Sequence, residues 1–315
     1  MHYKTKCIIL GSGGAGCTAG IYTARAGLKP ILICGTSLGG QLATTSDVEN
    51  FPSYISINGG ELMDKMREHA KHYGAEIIAD NIISVDFSKR PFILKSENNE
   101  YEADSVIIGT GATAKWLGVK GEEEFKGFGV SACATCDGFF YRKKIVAVIG
   151  GGNSAVSEAL YLSTLANKVY LIYRGDTFKA EQVLIDKLHQ AEKDGKIELV
   201  LNSDTQEMIG EEDALGKFIK GIVVKNKITN ELRTIDVNGI FVAIGHQPAS
   251  KIFEGQLELN ERGYIITNPR TFQTSVEGVY AGGDIQDENH KQAVIACGSG
   301  CVCALEVEKF LSRQK

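Results

Sequence analysis

The sequence predicts an α/β protein built from two nucleotide-binding units, and three observations carry that reading. A short apolar run, Lys6-Cys7-Ile8-Ile9-Leu10, leads into the glycine turn Gly11-x-Gly13-x-x-Gly16 and then a helical stretch. The same order returns in mid-chain, where Lys144 to Ile149 leads into Gly150-x-Gly152-x-x-Ala155. Two apolar runs that end on glycine, Val106-Ile107-Ile108-Gly109 and Val242-Ala243-Ile244-Gly245, form a second pair of echoes. From Gly11 to Gly150 is 139 positions and from Gly109 to Gly245 is 136, near-equal offsets of the kind an internal duplication leaves.

Taken in order, Lys6–Leu10 reads as a buried parallel strand, because its apolar run is unbroken rather than alternating. The helix after Gly16 runs to Ala26 and stops at Gly27, and a second strand covers Pro30 to Cys34. Gly60 to Tyr73 has the spacing of an amphipathic helix. Ile77 to Leu94 and Tyr101 to Ile108 read as a meander of short strands. In the second copy, Val156 to Leu165 is helical and Lys168 to Tyr173 is the next strand. Gln182 to Lys193 is a polar helix with an apolar stripe, and Ile197 to Val224 reads as further strands with turns. No charge run or low-complexity linker marks a domain edge.

Composition narrows the function classes. The 315 residues are 43% apolar and 23% charged, ordinary values for a globular protein that argue against disorder. A formal charge of −5 gives no general attraction to nucleic acid or to anionic lipid. The 36 glycines come with only 5 prolines, which suits tight turns between regular elements. Eight cysteines are too sparse for a disulfide scaffold. Met1 to Lys6 runs straight into the first strand without a secretory h-region, and no stretch approaches ~18 apolar residues. A cytoplasmic location is therefore expected, where a working disulfide is more often catalytic than structural.

Three motifs carry chemistry. In Gly11-x-Gly13-x-x-Gly16 the first glycine permits the tight turn, the second lets backbone approach a pyrophosphate, and the third lets helix and strand pack closely. The helix start then offers free N–H groups to the phosphates. The strand that follows ends at Cys34-Gly35-Thr36, with no acid for a ribose hydroxyl. Gly150-x-Gly152-x-x-Ala155 is the second fingerprint, and its following strand ends at Tyr173-Arg174. A cation there suits the 2′-phosphate of NADP better than the ribose of NAD, and Lys179 adds a second positive charge. Two dinucleotide sites in one chain suggest a flavin and a nicotinamide. The third motif is Cys133-Ala134-Thr135-Cys136-Asp137. It reads as a redox disulfide at a helix start, where the dipole favours a thiolate. Half a zinc site and two buried cysteines are the other readings. Zinc would need further ligands, and Cys297, Cys301 and Cys303 supply no second C-x-x-C. No metal is expected.

Several segments resemble the low-molecular-weight thioredoxin reductases of the bacterial type. They are Gly11 to Gly16, Gly39-Gly40-Gln41-Leu42, Val48-Glu49-Asn50, Ser131 to Gly138, Gly150 to Ala155, Phe241 to His246 and Ala281-Gly282-Gly283-Asp284. The resemblance covers essentially the whole chain, and Val130 to Tyr141 is its most specific part. It implies two Rossmann-like three-layer domains, the pyridine-nucleotide/disulfide domain (116–246) being inserted into a discontinuous FAD domain (1–115 and 247–315). Gly11, Ser12, Gly13, Gly14, Ala15, Gly16, Gly40, Gln41, Leu42, Asn50, Thr110, Gly111, Ala112, Asp284, Gln292 and Ala293 would then hold FAD. Gly150, Gly152, Asn153, Ser154, Ala155, Arg174 and Lys179 would hold NADPH.

The implied reaction passes electrons from NADPH through FAD to the Cys133–Cys136 disulfide and on to oxidised thioredoxin. By the same resemblance Cys136 faces the flavin, Cys133 attacks the protein substrate, Asp137 moves the proton, and the enzyme is a homodimer. The inserted domain would rotate on a hinge near residues 113–118 and 245–249. Two departures stand out. The usual Gly-Pro-Ala of the first turn is Gly13-Gly14-Ala15, and the usual three cations of the 2′-phosphate site are reduced to Arg174 and Lys179. The latter predicts a weakened preference for NADPH, with use of NADH. The alternatives are a reductase of a glutaredoxin-like or peroxidase-reducing protein, and a redox sensor without turnover. The remaining cysteines, His246, His290 and Trp116 are read as packing or surface residues.

Overall fold

The computed structural model describes residues 1–35, 37–45, 48–213 and 216–314, so Thr36 at the exit of the second strand lies outside the described residues. The chain divides into two compact units, Met1–Thr113 with Gln247–Lys315, and Ala114–His246. The first crossing falls two residues before the expected edge at 115.

The first segment runs β1 (His2–Leu10), α1 (Gly14–Arg25), β2 (Ile31–Ile33), α2 (Gly59–His72), β3 (Glu76–Ile78), β4 (Ser84–Asp86), β5 (Phe92–Lys95) and β6 (Glu100–Ile108). Residues 7–10, 31–33 and 106–108 are all buried, as strands covered on both faces must be. Small side chains along α1 (GAGCTAGIYTAR) let it lie close to the sheet, and most of the helix is buried. Asn58 caps α2 by accepting from the Glu61 N–H at 3.2 Å. Leu62, Met63 and Ala70 are the buried face of α2. Ile77, expected in the meander, instead pairs in parallel with Leu32. It follows a crossover helix, and a βαβ connection returns the chain parallel. β4, β5 and the first half of β6 form the antiparallel meander.

The middle segment runs β7 (Ala112–Ala114), α3 (Glu122–Phe125), β8 (Val130–Ser131), α4 (Ala134–Asp137), β9 (Ile145–Ile149), α5 (Asn153–Ser163), β10 (Lys168–Ile172), α6 (Gln182–Lys193), β11 (Ile197–Val200), β12 (Ser203–Asp213), β13 (Gly216–Asn226), β14 (Leu232–Asp236), β15 (Gly239–Val242) and β16 (His246–Pro248). Five strands form a parallel sheet in the order β11-β10-β9-β15-β8. One face packs on the two helices through Val156, Ala159, Leu162 and Leu188. The other packs on the antiparallel β12-β13-β14 meander through Met208, Ile222, Val224 and Ile235. That is a three-layer unit. The two linking strands, β7 and β16, pair with each other.

The chain then returns to the first unit with β17 (Val279–Ala281) and α7 (Ala293–Ser312). β17 pairs in parallel with the last three residues of β6, on the edge whose first half holds β5. The parallel order β3-β2-β1-β6-β17 thus repeats β11-β10-β9-β15-β8, each with a three-stranded meander beside it. The two copies correspond, but one echo is displaced. The Gly109 N–H donates to Leu10 O at 2.7 Å, and it is Ala243 N–H, not Gly245, that donates to Ile149 O at 2.8 Å. Gly245 comes two residues later with φ +101°, a turn residue rather than a strand end.

Candidate functional site

The predicted site residues lie beyond the carboxyl ends of the two parallel sheets, where open α/β sheets bind ligands. In the inserted unit β8 leads into Cys133, which forms a disulfide with Cys136 (S–S 2.06 Å, Cα–Cα 5.4 Å). The Cys133 N–H donates to Ser131 Oγ at 3.0 Å, and the Cys136 N–H points at Cys133 Sγ at 3.2 Å. The helix that follows is a single turn, Ala134–Asp137, and it gives way to a tighter turn over Gly138–Tyr141. The expected helix start is present, but one turn gives only a small dipole. Aligned peptide dipoles sum only along several turns, so Cys133 has the local Cys136 N–H in its place.

Asp137, on the same turn, is pushed above the usual carboxylate range by burial, and the Ser131 hydroxyl partly opposes this as a hydrogen-bond partner. Burial, and then the neighbouring Asp137 charge, push the Tyr141 phenol up to about 12. Ser131 thus touches both the disulfide turn and the acid. It lay inside the sequence motif without a role assigned to it. Phe139 and Phe140 follow after Gly138 and are 56% and 42% exposed, an apolar surface a few residues beyond the disulfide turn.

The first nucleotide turn, after β1, is shaped by close backbone approach. A Cβ on Gly16 would stand 1.8 Å from Gly11 O, so only glycine fits there. α1 begins with no side-chain cap and no acid in its first turn, unlike α2, and this leaves its N–H groups for an anion. Ser12 Oγ accepts from the Gly39 N–H at 2.9 Å, which ties the turn to the Gly40-Gln41-Leu42 segment. Asn50 Nδ2 donates to Gln292 Oε1 at 3.2 Å, joining two candidate flavin residues 242 positions apart. Thr110 Oγ1 donates to Ala249 O at 3.1 Å, and Gly111 and Ala112 continue into β7.

Asp284 follows β17, and its carboxyl is pushed up to about 6, chiefly by burial. A buried carboxyl of that kind fits a hydroxyl-bearing ligand, since a donor hydrogen bond would offset its desolvation. Gly283 N–H, one residue before it, donates to Ser299 Oγ at 2.8 Å, and this fixes the loop to α7 just beyond Ala293. The Gly14 departure has a counterpart in the structure: Cys297 Sγ stands 3.1 Å from where a Gly14 Cβ would be. The thiol occupies room that a larger residue at position 14 would need.

The second turn, after β9, repeats the arrangement with α5 again uncapped and free of acid in its first turn. Asn153 Oδ1 accepts from the Glu181 N–H at 2.8 Å, and the Lys179 N–H donates to Gly151 O at 2.7 Å. Ser154 and Ala155 open the helix beside them. The Tyr173 ring lies against the turn, 2.2 Å from where a Gly151 Cβ would be, and stacks on Phe178 at 5.4 Å. Arg174 is exposed at the end of β10, as is Lys179 in the loop beyond. Sequence reading missed Lys227, whose Nζ donates to Arg174 O at 3.4 Å. It sits 53 positions away in a β-hairpin turn, where nothing in its local pattern signals the contact.

The other six cysteines are free thiols, of which Cys7, Cys17, Cys34 and Cys303 are buried. Burial pushes Cys7 and Cys17 up to about 12, so they are inert at neutral pH. No group of three or more His, Cys, Asp or Glu side chains that could hold a metal occurs among the described residues. No helix among them is long and apolar enough to cross a membrane.

Residues 5–300 match the family model described as pyridine nucleotide-disulphide oxidoreductase. A thioredoxin reductase of Rickettsia felis is 50% identical over 315 residues, covering 99% of this chain and 100% of that protein. A Pseudomonas fluorescens protein named glucosaminate ammonia-lyase is 48% identical over 312 residues, with coverage of 98% and 96%. Among solved structures, thioredoxin reductase from Giardia duodenalis superposes with a TM-score of 0.92 at 40% identity, with coverage of 98% and 99%.

Proposed function

The chain belongs to the pyridine nucleotide-disulphide oxidoreductases and, within them, to the thioredoxin reductase family, and from that premise we propose an NADPH-dependent, FAD-containing reductase of thioredoxin. One observation carries the reading. The Cys133–Cys136 disulfide sits beyond the end of β8, in the same parallel sheet whose β9 leads into the second nucleotide turn. A dithiol pair beside a nucleotide fold suits electron transfer, whereas eliminating ammonia from a sugar acid is redox-neutral and has no use for it. The lyase name of the Pseudomonas relative is therefore not carried over.

FAD fits Gly11–Gly16, the Gly40–Leu42 segment, Asn50, Thr110–Ala112, Asp284, Gln292 and Ala293 in the discontinuous unit. NADPH fits Gly150, Gly152, Asn153, Ser154, Ala155, Arg174 and Lys179 in the inserted one. When bound, the nicotinamide supplies a hydride and the flavin converts it into an electron pair for a disulfide. The chain's own residues do the rest. Uncapped α1 and α5 bind the pyrophosphates, and Asp284 takes a hydroxyl of the flavin's ribityl-phosphate portion. Asp137, held protonated to higher pH by burial, gives and takes the proton as the Cys133–Cys136 bond opens and re-forms. Cys133 attacks the disulfide of thioredoxin, while Phe139 and Phe140 offer it an apolar contact. The reading extends to a cytoplasmic homodimer.

The deciding experiment is a steady-state assay of wild type and Cys136→Ser with NADPH, NADH and oxidised thioredoxin. Wild type is expected to be yellow and to reduce thioredoxin, and the variant to stay yellow and lose that activity. Turnover indifferent to thioredoxin would overturn the proposal.

A further inference from the structure

We propose that Lys227 is the third cation of the second nucleotide site and determines its preference for a 2′-phosphate. It stands in for the positive charge that Gly175 does not provide. The inference rests on the NADPH reading above and adds to it a residue from a different part of the inserted unit.

The strand end that carries Arg174 is knitted to the hairpin that carries Lys227. Tyr173 O accepts from the Ser203 N–H at 3.0 Å, and Gly175 O accepts from the Asn202 N–H at 2.9 Å. Asn202 O in turn accepts from the Lys227 N–H at 2.7 Å. Asn226 Oδ1 accepts from the Ile228 and Thr229 N–H groups at 2.9 and 3.0 Å, so the hairpin turn is fixed from within as well. With its backbone held on both sides, Lys227 reaches over the strand end and donates from Nζ to Arg174 O at 3.4 Å. A carbonyl takes one of the three ammonium protons and leaves two for other acceptors.

Charge decides what those protons do. Arg174, Asp176 and Lys179 together carry one net positive charge, and Lys227 raises it to two. A phosphate monoester carries about −1.5 to −2 at neutral pH, so only with Lys227 does the turn balance it. No carboxylate forms an ion pair with Arg174, Lys179 or Lys227 among the described residues, whereas Lys217 and Lys220, on the same meander, are both paired. The three cations are thus available to a ligand. The preference for NADPH over NADH that the sequence suggests is weakened is, on this geometry, retained.

The test is equilibrium binding to the flavin-loaded protein of NADPH, NADH and 2′,5′-ADP, for wild type, Lys227→Ala, Lys227→Arg and Arg174→Ala. Lys227→Ala should raise the Kd for NADPH and 2′,5′-ADP about 5–10-fold and leave NADH within about twofold, as loss of one charge-assisted phosphate contact does. Lys227→Arg should restore binding. Lys227 is exposed and its hairpin is held by backbone bonds, so the variants should keep the wild-type far-UV spectrum. If Arg174→Ala lowers the NADPH preference and Lys227→Ala does not, the inference on Lys227 is wrong while the NADPH reading stands. If wild type binds NADH as tightly as NADPH, the NADPH reading fails and takes this inference with it.

Discussion

Asp137 and Asp284 are both held above the ordinary carboxylate range by burial, but the consequences differ. Asp137 lies on the disulfide turn, so Asp137→Asn should lower kcat for thioredoxin about 100-fold or more, the usual value of a positioned proton donor, with the flavin spectrum unchanged. Asp284 acts on stability. An acid whose pKa rises on folding keeps a proton that the unfolded chain releases, so its contribution to stability is fully present below about pH 4 and is lost as pH climbs through about 6. Urea unfolding of flavin-free wild type and Asp284→Asn at pH 4 and 7 should show that loss as the difference between the two proteins' pH dependences, up to about 3 kcal/mol. At this scale the glycines were legible because a backbone contact such as that of Gly16 with Gly11 O admits no other residue. Lys227 was not legible: a lysine in a hairpin turn is ordinary, and only the Asn202 bridge brings it to Arg174. Ser131 stands inside a legible motif, but its link to Asp137 depends on how tightly the turn folds.

Among the elements, the crossing of α1 and α7 is the most demanding. A Cβ on Gly300 would stand 2.1 Å from Ala15 O, backbone that cannot move aside, while one on Gly298 in the same helix meets nothing within 4 Å. Gly300→Ala should therefore cost at least about 2–3 kcal/mol in urea unfolding. Gly298→Ala should stabilise by about 0.5–1 kcal/mol, the ordinary gain of alanine inside a helix. Equal effects from the two would mean that the helices do not meet at Gly300. Sequence periodicity found α2 and α6, whose apolar stripes face one way, and missed α7, where alanine, valine, glycine and cysteine surround the axis and leave no stripe. It placed Ile77 in the meander because a three-residue strand has too little pattern to show its partner. Gly245 echoed Gly109 because two apolar strands ending on glycine look alike, although only the hydrogen bonds to Leu10 and Ile149 set their register.

For the molecule as a whole, the interruption of one unit by another leaves each with its own core. The linking strands β7 and β16 pair, which brings the cut ends Thr113 and Gln247 to neighbouring strands. Replacing residues 114–246 by a short Gly/Ser linker should give a soluble protein that still binds FAD, read as flavin absorbance in the visible. A soluble but colourless product would show that the flavin unit needs the insert. The fold class was legible from the two repeated turns and the family motifs, while the crossing between the two units depends on strands too short to announce themselves. The position of β17 beside β6 also sets a schedule for a chain leaving the ribosome. Ile108 emerges early, yet the Ala281 that neighbours it comes 173 residues later, after the whole inserted unit. At about 5–20 residues per second that is a wait of roughly 10–35 s. The disulfide-bearing unit can close first, while the half-built first unit stands with one sheet edge open, a period in which a chaperone or early ligand capture would matter most.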